Sequence, residues 1–299
     1  MQQEESQHGA CHSHHRRRRS ERGRGFHAAR RMNDHAFDAA IALQPLGEHA
    51  FAGHTSPAYA NFIGPYGGIT AAQCLNAVLR HPGRLGDPVA FTVNFAAAVA
   101  DGGFTLRPRA ARTNRSTQHW IVEMLQGDEV VATATALTAV RRPTWGGHEA
   151  HMPEAPPPRE VPRTQRRGVA WLERYDMHFL QGMIPRDWDG QGAEESLSRL
   201  WVRDDPPRPL DFASLAALCD VFFPRIWLRR ARQTPLGTVS MTVYFHADAA
   251  GLESAGTGFL LAQARGQGFG GGYFDHTGQL WTEQGTLLAT THQVMYYKE

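Results

Sequence analysis

The sequence predicts an α+β protein built from two copies of one unit, a long helix wrapped by a curved antiparallel sheet. Three observations indicate this fold class: a buried-helix pattern occurs twice, each is followed by a strand of alternating apolar residues, and each copy ends in a glycine-marked hairpin. The order of these segments is the same in both halves, which is typical of an internal repeat. With 299 residues and 41% hydrophobic content, the chain is long enough to bury a core in each unit.

The first copy opens with a helix in the segment "GPYGGITAAQCLNAVLRHPG". Its apolar residues recur at helical spacing on one face: Ile69, Ala72, Leu75 and Leu79. The helix is expected to end before Pro82, and the strand "PVAFTVNF" follows, with apolar residues alternating with Thr92 and Asn94. The segment "FTLRPRAAR" and a hairpin that turns near Gly127 complete an antiparallel meander.

The second copy repeats this order with different residues. A helix "DFASLAALCDVFF" is expected to end at Pro224, and the strand "GTVSMTVYFH" follows. The apolar residues of that strand alternate: Val239, Met241, Val243 and Phe245. The segments "FLLAQARGQ" and "GQLWTEQGTLLATTHQVMYY", with a turn at Gly285, match the closing strands of the first copy. Two further short strands, "RYDMHFLQG" and "LSRLWVRD", precede the second helix.

These patterns divide the chain into four segments. Residues 1–36 form an Arg- and His-rich tail, 37–142 the N-terminal unit, 143–168 a proline-rich linker and 169–299 the C-terminal unit. The tail segment "HSHHRRRRSERGRGFHAARR" has no apolar periodicity, so we expect it to be disordered. A nucleic-acid arm or a metal-binding histidine tract would also fit its composition, but a block of like charge is more often a solvated tail, and we expect no nucleic-acid partner.

The composition also limits the setting and the cofactors. The apolar runs are short and interrupted, so no membrane insertion is expected, and the three cysteines have neither disulfide-framework nor zinc-site spacing. A cytoplasmic location follows as an expectation. Single histidines such as His246, His276 and His292 lack ligand spacing, so neither a metal nor a cofactor is predicted. The glycine-rich run "GQGFGGGYFDHTG" lacks the residues of a phosphate loop and is interpreted as a bulge that bends a strand.

Four blocks, in order and at plausible spacing, resemble the acyl-CoA thioesterase II family: "FIGPYGGITAAQCLNAVL", "SRLWVRDDPPRPLDFASLAALCDVFFP", "GTVSMTVYFH" and "GTLLATTHQV". The resemblance extends from about residue 37 to the C-terminus. It implies a double hotdog fold and hydrolysis of fatty acyl-CoA without a cofactor. It also implies a nucleophilic water held by an Asp, a Thr and a Gln, at the positions of Asp220, Thr238 and Gln293.

The internal repeat gives an independent indication that these three residues are special. When the two copies are aligned, Val78 lies opposite Asp220, Pro88 lies opposite Thr238, and Gln293 lies opposite an apolar residue near Ala136. All three polar groups are therefore absent from the first copy, so the fold does not require them. A buried carboxylate without partners is costly, and a nearby hydroxyl and amide would satisfy it while leaving a site for water.

We assign the chemistry of the two helices to three residues, Asp220, Gly67 and Gly68. Burial is expected to raise the pKa of Asp220 and so make it a better general base near neutral pH. The glycines at the start of the first helix expose backbone N–H groups that are suited to a thioester oxyanion. Two alternatives stay open, namely a structural Asp held by local hydrogen bonds and glycines that only permit a tight helix entry.

The predicted function is hydrolysis of acyl-CoA thioesters, and two other functions are considered. One is a non-catalytic protein that binds acyl-CoA or an acyl chain. The other is a hotdog dehydratase or hydratase, whose His-containing motif the segment "HAFAGHTSP", His49 to Pro57, misses by one residue. The exposed edge strands of such a fold commonly pair, so a homodimer is also expected. The length of the acyl chain is not predicted.

Overall fold

One antiparallel sheet of thirteen strands forms the framework of the residues that the computed structural model describes, 35–164 and 168–299. The strands of the first half are β1 (Gln44–Pro45), β2 (Phe51–His54), β3 (Asp87–Phe95), β4 (Gly103–Thr113), β5 (Thr117–Gln126) and β6 (Glu129–Ala139). Those of the second half are β7 (Tyr175–Gln181), β8 (Ser198–Asp204), β9 (Leu236–Phe245), β10 (Leu260–Arg265), β11 (Phe269–Gly270), β12 (Tyr273–Thr282) and β13 (Leu287–Tyr297). Most of the expected N-terminal tail, residues 1–34, lies outside the described residues.

Five helices accompany the sheet in the described residues. They are α1 (Ala36–Ala40), α2 (Gly67–Leu79), α3 (Phe212–Leu218), α4 (Arg225–Arg230) and α5 (Ala249–Ala255). Short 3-10 turns lie at Pro57–Tyr59, Pro158–Glu160 and Ala170–Arg174. Helices α1, α4 and α5 and strands β1 and β2 were not predicted from the sequence, because each is too short to show a periodic pattern.

The strand order confirms the internal repeat. It runs β1-β2-β4-β5-β6-β3-β9-β13-β12-β10-β8-β7, with β11 paired to β12, so the two halves present the same order in opposite directions. The halves meet where β3 pairs with β9, from Ala90 opposite Tyr244 to Asn94 opposite Ser240. A hydrogen bond of 3.0 Å joins the Thr92 and Thr242 hydroxyl groups across this junction. The two units therefore share one continuous sheet.

Helices α2 and α3 lie side by side against the sheet and supply the centre of the core. Helix α2 has the predicted extent and is buried on almost all sides, which its alanines and other small residues allow. Helix α3 begins at a clear N-cap, since the Asp211 carboxylate accepts a hydrogen bond of 2.8 Å from the Ser214 N–H. The helices thus fill the space that the curved sheet surrounds.

Matching irregularities interrupt the two central strands. In β3 the register shifts between Pro88 and Ala90, and in β9 it shifts between Thr238 and Ser240, opposite Met295 and Val294. Each shift leaves one extra residue, Val89 or Val239, as in a β-bulge. The predicted alternation is therefore wrong at these two valines, although it holds from Phe91 and Met241 onward. Because of the extra residue, Pro88 and Thr238 lie on the opposite face of the sheet from the one that strict alternation would give them.

The glycine-rich run forms a turn and not the expected bulge. Gly271 and Gly272 have φ angles of 60° and 81°, and they connect β11 to β12, where Gly270 pairs with Tyr273. Two consecutive residues with positive φ are typical of a tight hairpin turn, which glycine adopts without steric cost. The run therefore has a local structural explanation.

In the described part of the chain, no helix has the length and apolar character needed to cross a membrane.

Candidate active site

Helix α3 ends five residues earlier than its apolar pattern predicted. The sequence indicated a helix up to Phe223, but the structure ends it at Leu218, so Asp220 lies in the turn that follows. Two carbonyls at this end accept side-chain hydrogen bonds: Ala217 from the Tyr66 hydroxyl at 2.7 Å and Cys219 from the Gln293 amide at 3.2 Å. The Ala217 carbonyl also accepts a hydrogen bond of 3.0 Å from the Asp220 N–H, so both carbonyls at the helix C-terminus are satisfied. Side chains from the start of α2 and from β13 therefore help to cap the end of α3.

Asp220 has the properties expected of a general base. Part of its surface remains accessible, yet desolvation by the surrounding core raises the pKa of its carboxyl group to about 7. Hydrogen bonds from the Gln293 side-chain amide and the Gly68 backbone N–H act in the opposite direction and limit the increase. A carboxylate with a pKa near the working pH combines a useful ionised fraction with proton affinity.

The first turn of α2 lies against this carboxylate. A Cβ atom placed on Gly67 would be 2.8 Å from Asp220 Oδ2, and one on Gly68 would be 2.7 Å from the Ala217 carbonyl oxygen. Both distances are shorter than non-bonded atoms tolerate, so a side chain at Gly68 would push against the Ala217 backbone and one at Gly67 would displace the Asp220 carboxylate. The structure therefore brings Gly67, Gly68 and Asp220 together, as expected, with the glycines from one copy and the acid from the other.

Gln293 lies on the inner face of the sheet, in contact with the end of α3. Only 1% of its surface is exposed, its amide nitrogen binds the Cys219 carbonyl, and it pairs with Met241 on β9. The equivalent residue of the first copy is Ala136, which pairs with Phe91 in the same way. The register thus agrees with the alignment of the two copies made from the sequence.

Thr238 reaches the same face because of the bulge at Val239. It pairs with Met295, which lies two residues after Gln293 on β13 and has its side chain buried in the same direction. Directly opposite residues of an antiparallel pair share a face, so Thr238 lies diagonally from Gln293. Within the described residues no direct hydrogen bond joins Thr238 to Asp220 or Gln293. Its expected role therefore depends on a bridging water or substrate atom.

Tyr66 is a site residue that the sequence analysis missed. Its hydroxyl binds the Ala217 carbonyl, and its ring stacks on Trp171 with centroids 4.3 Å apart. Burial, followed by the charge of nearby Asp220, raises the pKa of Tyr66 well above its usual value, so the hydroxyl stays a donor. Its position immediately before Gly67 was the available signal, but only the fold brings it to α3.

The histidines of the dehydratase-like segment are not part of this arrangement. His49 and His54 are exposed; the His49 ring stacks on His81 with centroids 5.5 Å apart, and the His54 ring forms a hydrogen bond with the Thr55 carbonyl. In residues 35–164 and 168–299, no group of three potential ligands is placed to hold a metal ion.

A separate surface depression lies elsewhere. It has a volume of about 730 Å³ and is lined by residues that include Arg141, His148, Tyr244 and His246. It contains none of the five expected site residues. Tyr244 is half exposed on the outer face of β9, so this depression is separated from Asp220 by the sheet.

Comparison with known proteins supports the fold and the two-copy organisation. Residues 56–139 match the family model of the acyl-CoA thioesterase N-terminal domain, and residues 150–297 match that of the acyl-CoA thioesterase C-terminal domain. A hot dog protein of unknown function from Alicyclobacillus acidocaldarius is 46% identical, with a TM-score of 0.84 over 89% of this chain and 98% of that one.

Two mycobacterial proteins share the fold at lower identity. The tesB protein of Mycobacterium avium subsp. paratuberculosis is 21% identical, with a TM-score of 0.72 over 88% of this chain and 98% of that one. An acyl-CoA thioesterase II of Mycobacterium marinum is 18% identical, with a TM-score of 0.69 over the same shares of the two chains. No curated protein sequence matches the chain. The predicted α+β double hotdog fold is confirmed.

Proposed function

This chain belongs to the acyl-CoA thioesterase family, and on that premise we propose that it hydrolyses acyl-CoA thioesters with a water molecule activated by Asp220. The observation that carries the proposal is the position of this carboxylate. It is desolvated, partly accessible and held by the N-terminal turn of α2 on one side and by Gln293 on the other.

In the proposed reaction, Asp220 accepts a proton from water while the oxygen of that water attacks the thioester carbonyl carbon. Gln293 and Thr238 hold the water, since Gln293 contacts the end of α3 and Thr238 lies diagonally from Gln293 on the inner face of the sheet. The carbonyl oxygen becomes an oxyanion. When the carbon–sulfur bond breaks, the thiolate takes the proton back from Asp220, and the products are the free acid and CoA.

We assign different roles to the backbone N–H groups of Gly67 and Gly68. The Gly68 N–H is directed to the Asp220 carboxylate and orients it. We assign the thioester oxygen to the Gly67 N–H, which is among the first N–H groups of α2 and so has no acceptor within the helix. The positive end of the helix dipole adds to the stabilisation of the developing negative charge.

The test is release of free thiol from a panel of acyl-CoA substrates. Asp220→Asn, which is nearly isosteric, should lower turnover by about 10²- to 10⁴-fold, the usual contribution of a general base. Wild-type turnover should fall as the pH decreases through about 7, because the carboxylate becomes protonated, and the Asn variant should lose this dependence. Gln293→Ala or Thr238→Val added to Asp220→Asn should cost little more, because the three residues act on one water.

Two results would contradict the proposal. One is an acid limb that is unchanged in Asp220→Asn, and the other is fully additive losses across the three positions. A wild-type protein that binds acyl-CoA and releases no thiol would instead support the non-catalytic binding function.

A further inference from the structure

We propose that a buried polar patch formed by His276, Thr291 and Gln293 binds a hydroxyl group on the acyl chain, so that the preferred substrates are hydroxyacyl thioesters. The inference rests on the proposed thioester hydrolysis at Asp220 and adds a class of substrate to it. It concerns residues that the water-activation mechanism leaves unused, apart from Gln293.

The patch consists of polar atoms that have no partner within the described protein. His276 is completely buried, and neither ring nitrogen forms a hydrogen bond. The Thr291 hydroxyl and the Gln293 side-chain oxygen are also buried and without a hydrogen-bond partner. Buried polar atoms of folded proteins are nearly always hydrogen-bonded, so four such atoms in one region indicate a site that a ligand or water completes.

The sheet register places these atoms together and next to the proposed catalytic turn. His276 on β12 lies directly opposite Gln293 on β13, and Thr291 lies two residues before Gln293 on the same face. Directly opposite residues have Cβ atoms about 5 Å apart. Gln293 in turn binds the Cys219 carbonyl, immediately before Asp220. The patch therefore shares Gln293 with the turn that carries Asp220.

Phe222 connects the patch to the same turn. Its ring lies edge-on to His276 with centroids 5.8 Å apart, and its edge is 3.1 Å from where a Cβ on Gly278 would lie. The same Cβ would lie 2.9 Å from the Thr291 methyl group. Glycine at 278 thus lets Thr291 and the Phe222 ring approach β12 this closely.

The first copy shows that the fold does not need this patch. Trp120 occupies the position equivalent to His276, because it pairs with Ala136 as His276 pairs with Gln293. Ala134 and Val122 correspond to Thr291 and Gly278 by the same register. Trp120 is buried and its indole N–H is satisfied by Thr138 at 3.1 Å. The second copy therefore replaces a mostly apolar layer, whose indole N–H is hydrogen-bonded, with polar side chains that lack hydrogen-bond partners in the described protein.

A hydroxyl group matches the chemistry of this patch better than other substituents. Burial, with a smaller effect from Arg225, lowers the pKa of His276 well below its usual value, so the ring is neutral and carries one donor and one acceptor. Thr291 both donates and accepts, and the Gln293 oxygen accepts. A hydroxyl group can satisfy a donor and an acceptor at once, whereas a methylene group leaves them all unpaired. A carboxylate on the acyl chain would be buried among apolar groups and face other hydrogen-bond acceptors, which is unfavourable.

The test compares kcat/KM for matched pairs of acyl-CoA substrates that differ only in a hydroxyl group on the α, β or γ carbon. The wild type should prefer at least one hydroxylated member by about tenfold or more, because sites built to bind a hydroxyl group strongly reject the analogue that lacks it. His276→Phe and Thr291→Val should each reduce that ratio towards unity. His292→Phe is the matched control, since His292 lies on β13 beside Gln293 but faces outward, where it binds Asp275.

Melting temperatures show whether each variant is folded, and Thr291→Val decides the question if His276→Phe unfolds. A wild-type ratio near unity for every hydroxyl position, or a ratio that neither variant changes, would mean that the patch holds only buried water. That result would overturn the proposal.

Binding to Asp220→Asn separates this inference from the proposed function. Calorimetric Kd values for the same substrate pairs should favour the hydroxylated member by a similar factor, even where no hydrolysis occurs. If the wild type releases no thiol from any substrate but the Kd ratio persists, hydrolysis is refuted and the hydroxyl site is retained. Equal Kd values together with normal hydrolysis would refute only the hydroxyl site.

Discussion

Asp220 is a residue whose chemistry is set by three separate parts of the chain. The core around α3 desolvates its carboxylate, Gly68 at the start of α2 donates a hydrogen bond to it, and Gln293 near the C-terminus donates another. The net effect is a pKa raised to about 7, which favours proton transfer but leaves an ionised group in a poorly solvated place above that pH. The same feature that suits catalysis therefore costs stability.

Asp220→Asn should raise the stability of the protein at alkaline pH. The folded-state pKa of about 7 lies above the ordinary value of 3.8, so the folded state binds more protons than the unfolded state between these values, and stability falls as the pH rises through them. Each pKa unit corresponds to about 1.4 kcal/mol. We expect a gain of a few kcal/mol at most at pH values above about 7, decreasing towards pH values of about 4, as measured by urea unfolding.

Asp275→Asn provides the control of opposite sign. Although partial burial acts to raise the pKa of Asp275, hydrogen bonds from His292 and from the Gly268 and Gln267 N–H groups hold it below its usual value. Its charge therefore contributes stability that is present at neutral pH and lost on acidification. A loss of stability in Asp220→Asn above neutral pH would show that the carboxylate is not desolvated.

The contact between the first turn of α2 and the end of α3 is the element-level feature on which the site depends. Tyr66 caps α3 at Ala217, while Gly67 and Gly68 let the two helices approach. The two glycines do not have equal surroundings. A Cβ on Gly68 would meet both the Tyr66 ring and the Ala217 backbone carbonyl, whereas one on Gly67 would meet the Asp220 side chain, which can move.

Gly67→Ala and Gly68→Ala should therefore differ in effect. Gly68→Ala forces the helices apart and should cost about 1 to 3 kcal/mol of stability, as overpacked cores do. Gly67→Ala should keep most of the stability but reduce turnover by about tenfold or more, because it displaces the catalytic oxygen. Thermal unfolding and thiol release measure the two effects.

Gly83→Ala is the matched control, since a Cβ there would be no closer than 3.4 Å to any atom and the residue is exposed. It should change neither quantity. Equal losses of stability in Gly67→Ala and Gly68→Ala would indicate that both glycines serve only the tight helix entry.

The molecule as a whole combines the two copies into one sheet with one proposed site. The glycines come from the first copy, and Asp220, Thr238 and Gln293 come from the second, while the β3–β9 junction keeps the copies in register.

The N-terminal boundary of the two-copy structure is close to residue 35. His35 caps α1 and its ring forms a hydrogen bond of 2.8 Å with the Pro206 carbonyl, and Phe37 is fully buried.

A chain that begins at Met32 should keep the melting temperature and the activity of the full-length protein, because the arginine-rich tail precedes these contacts. A chain that begins at Ala42 should be clearly less stable, since it loses Phe37 and the ion pair of 2.7 Å between Asp38 and Arg208. Thermal unfolding and thiol release compare the two. Loss of activity in the longer chain would show that the tail takes part in function.

Much of the framework could be predicted because it follows from local periodicity. The extent of α2, the strands from Phe91 to Phe95 and from Met241 to Phe245, and the turns at Gly127 and Gly285 all appear in the structure as expected. Aligning the two copies also identified the positions where polar residues replace apolar ones. The same comparison did not reveal His276, because its counterpart Trp120 is recognised only from the strand register.

The sequence by itself determined the α+β class, the internal repeat and the family resemblance, because apolar spacing and residue order are properties of the chain alone. Only the tertiary structure decided where α3 ends, that Val239 bulges and turns Thr238 inward, and that Tyr66 and Gln293 meet the carbonyls around Asp220. The physical reason is that these features depend on hydrogen bonds between residues far apart in sequence. A buried carbonyl must find a donor, and no local pattern records which distant side chain supplies it.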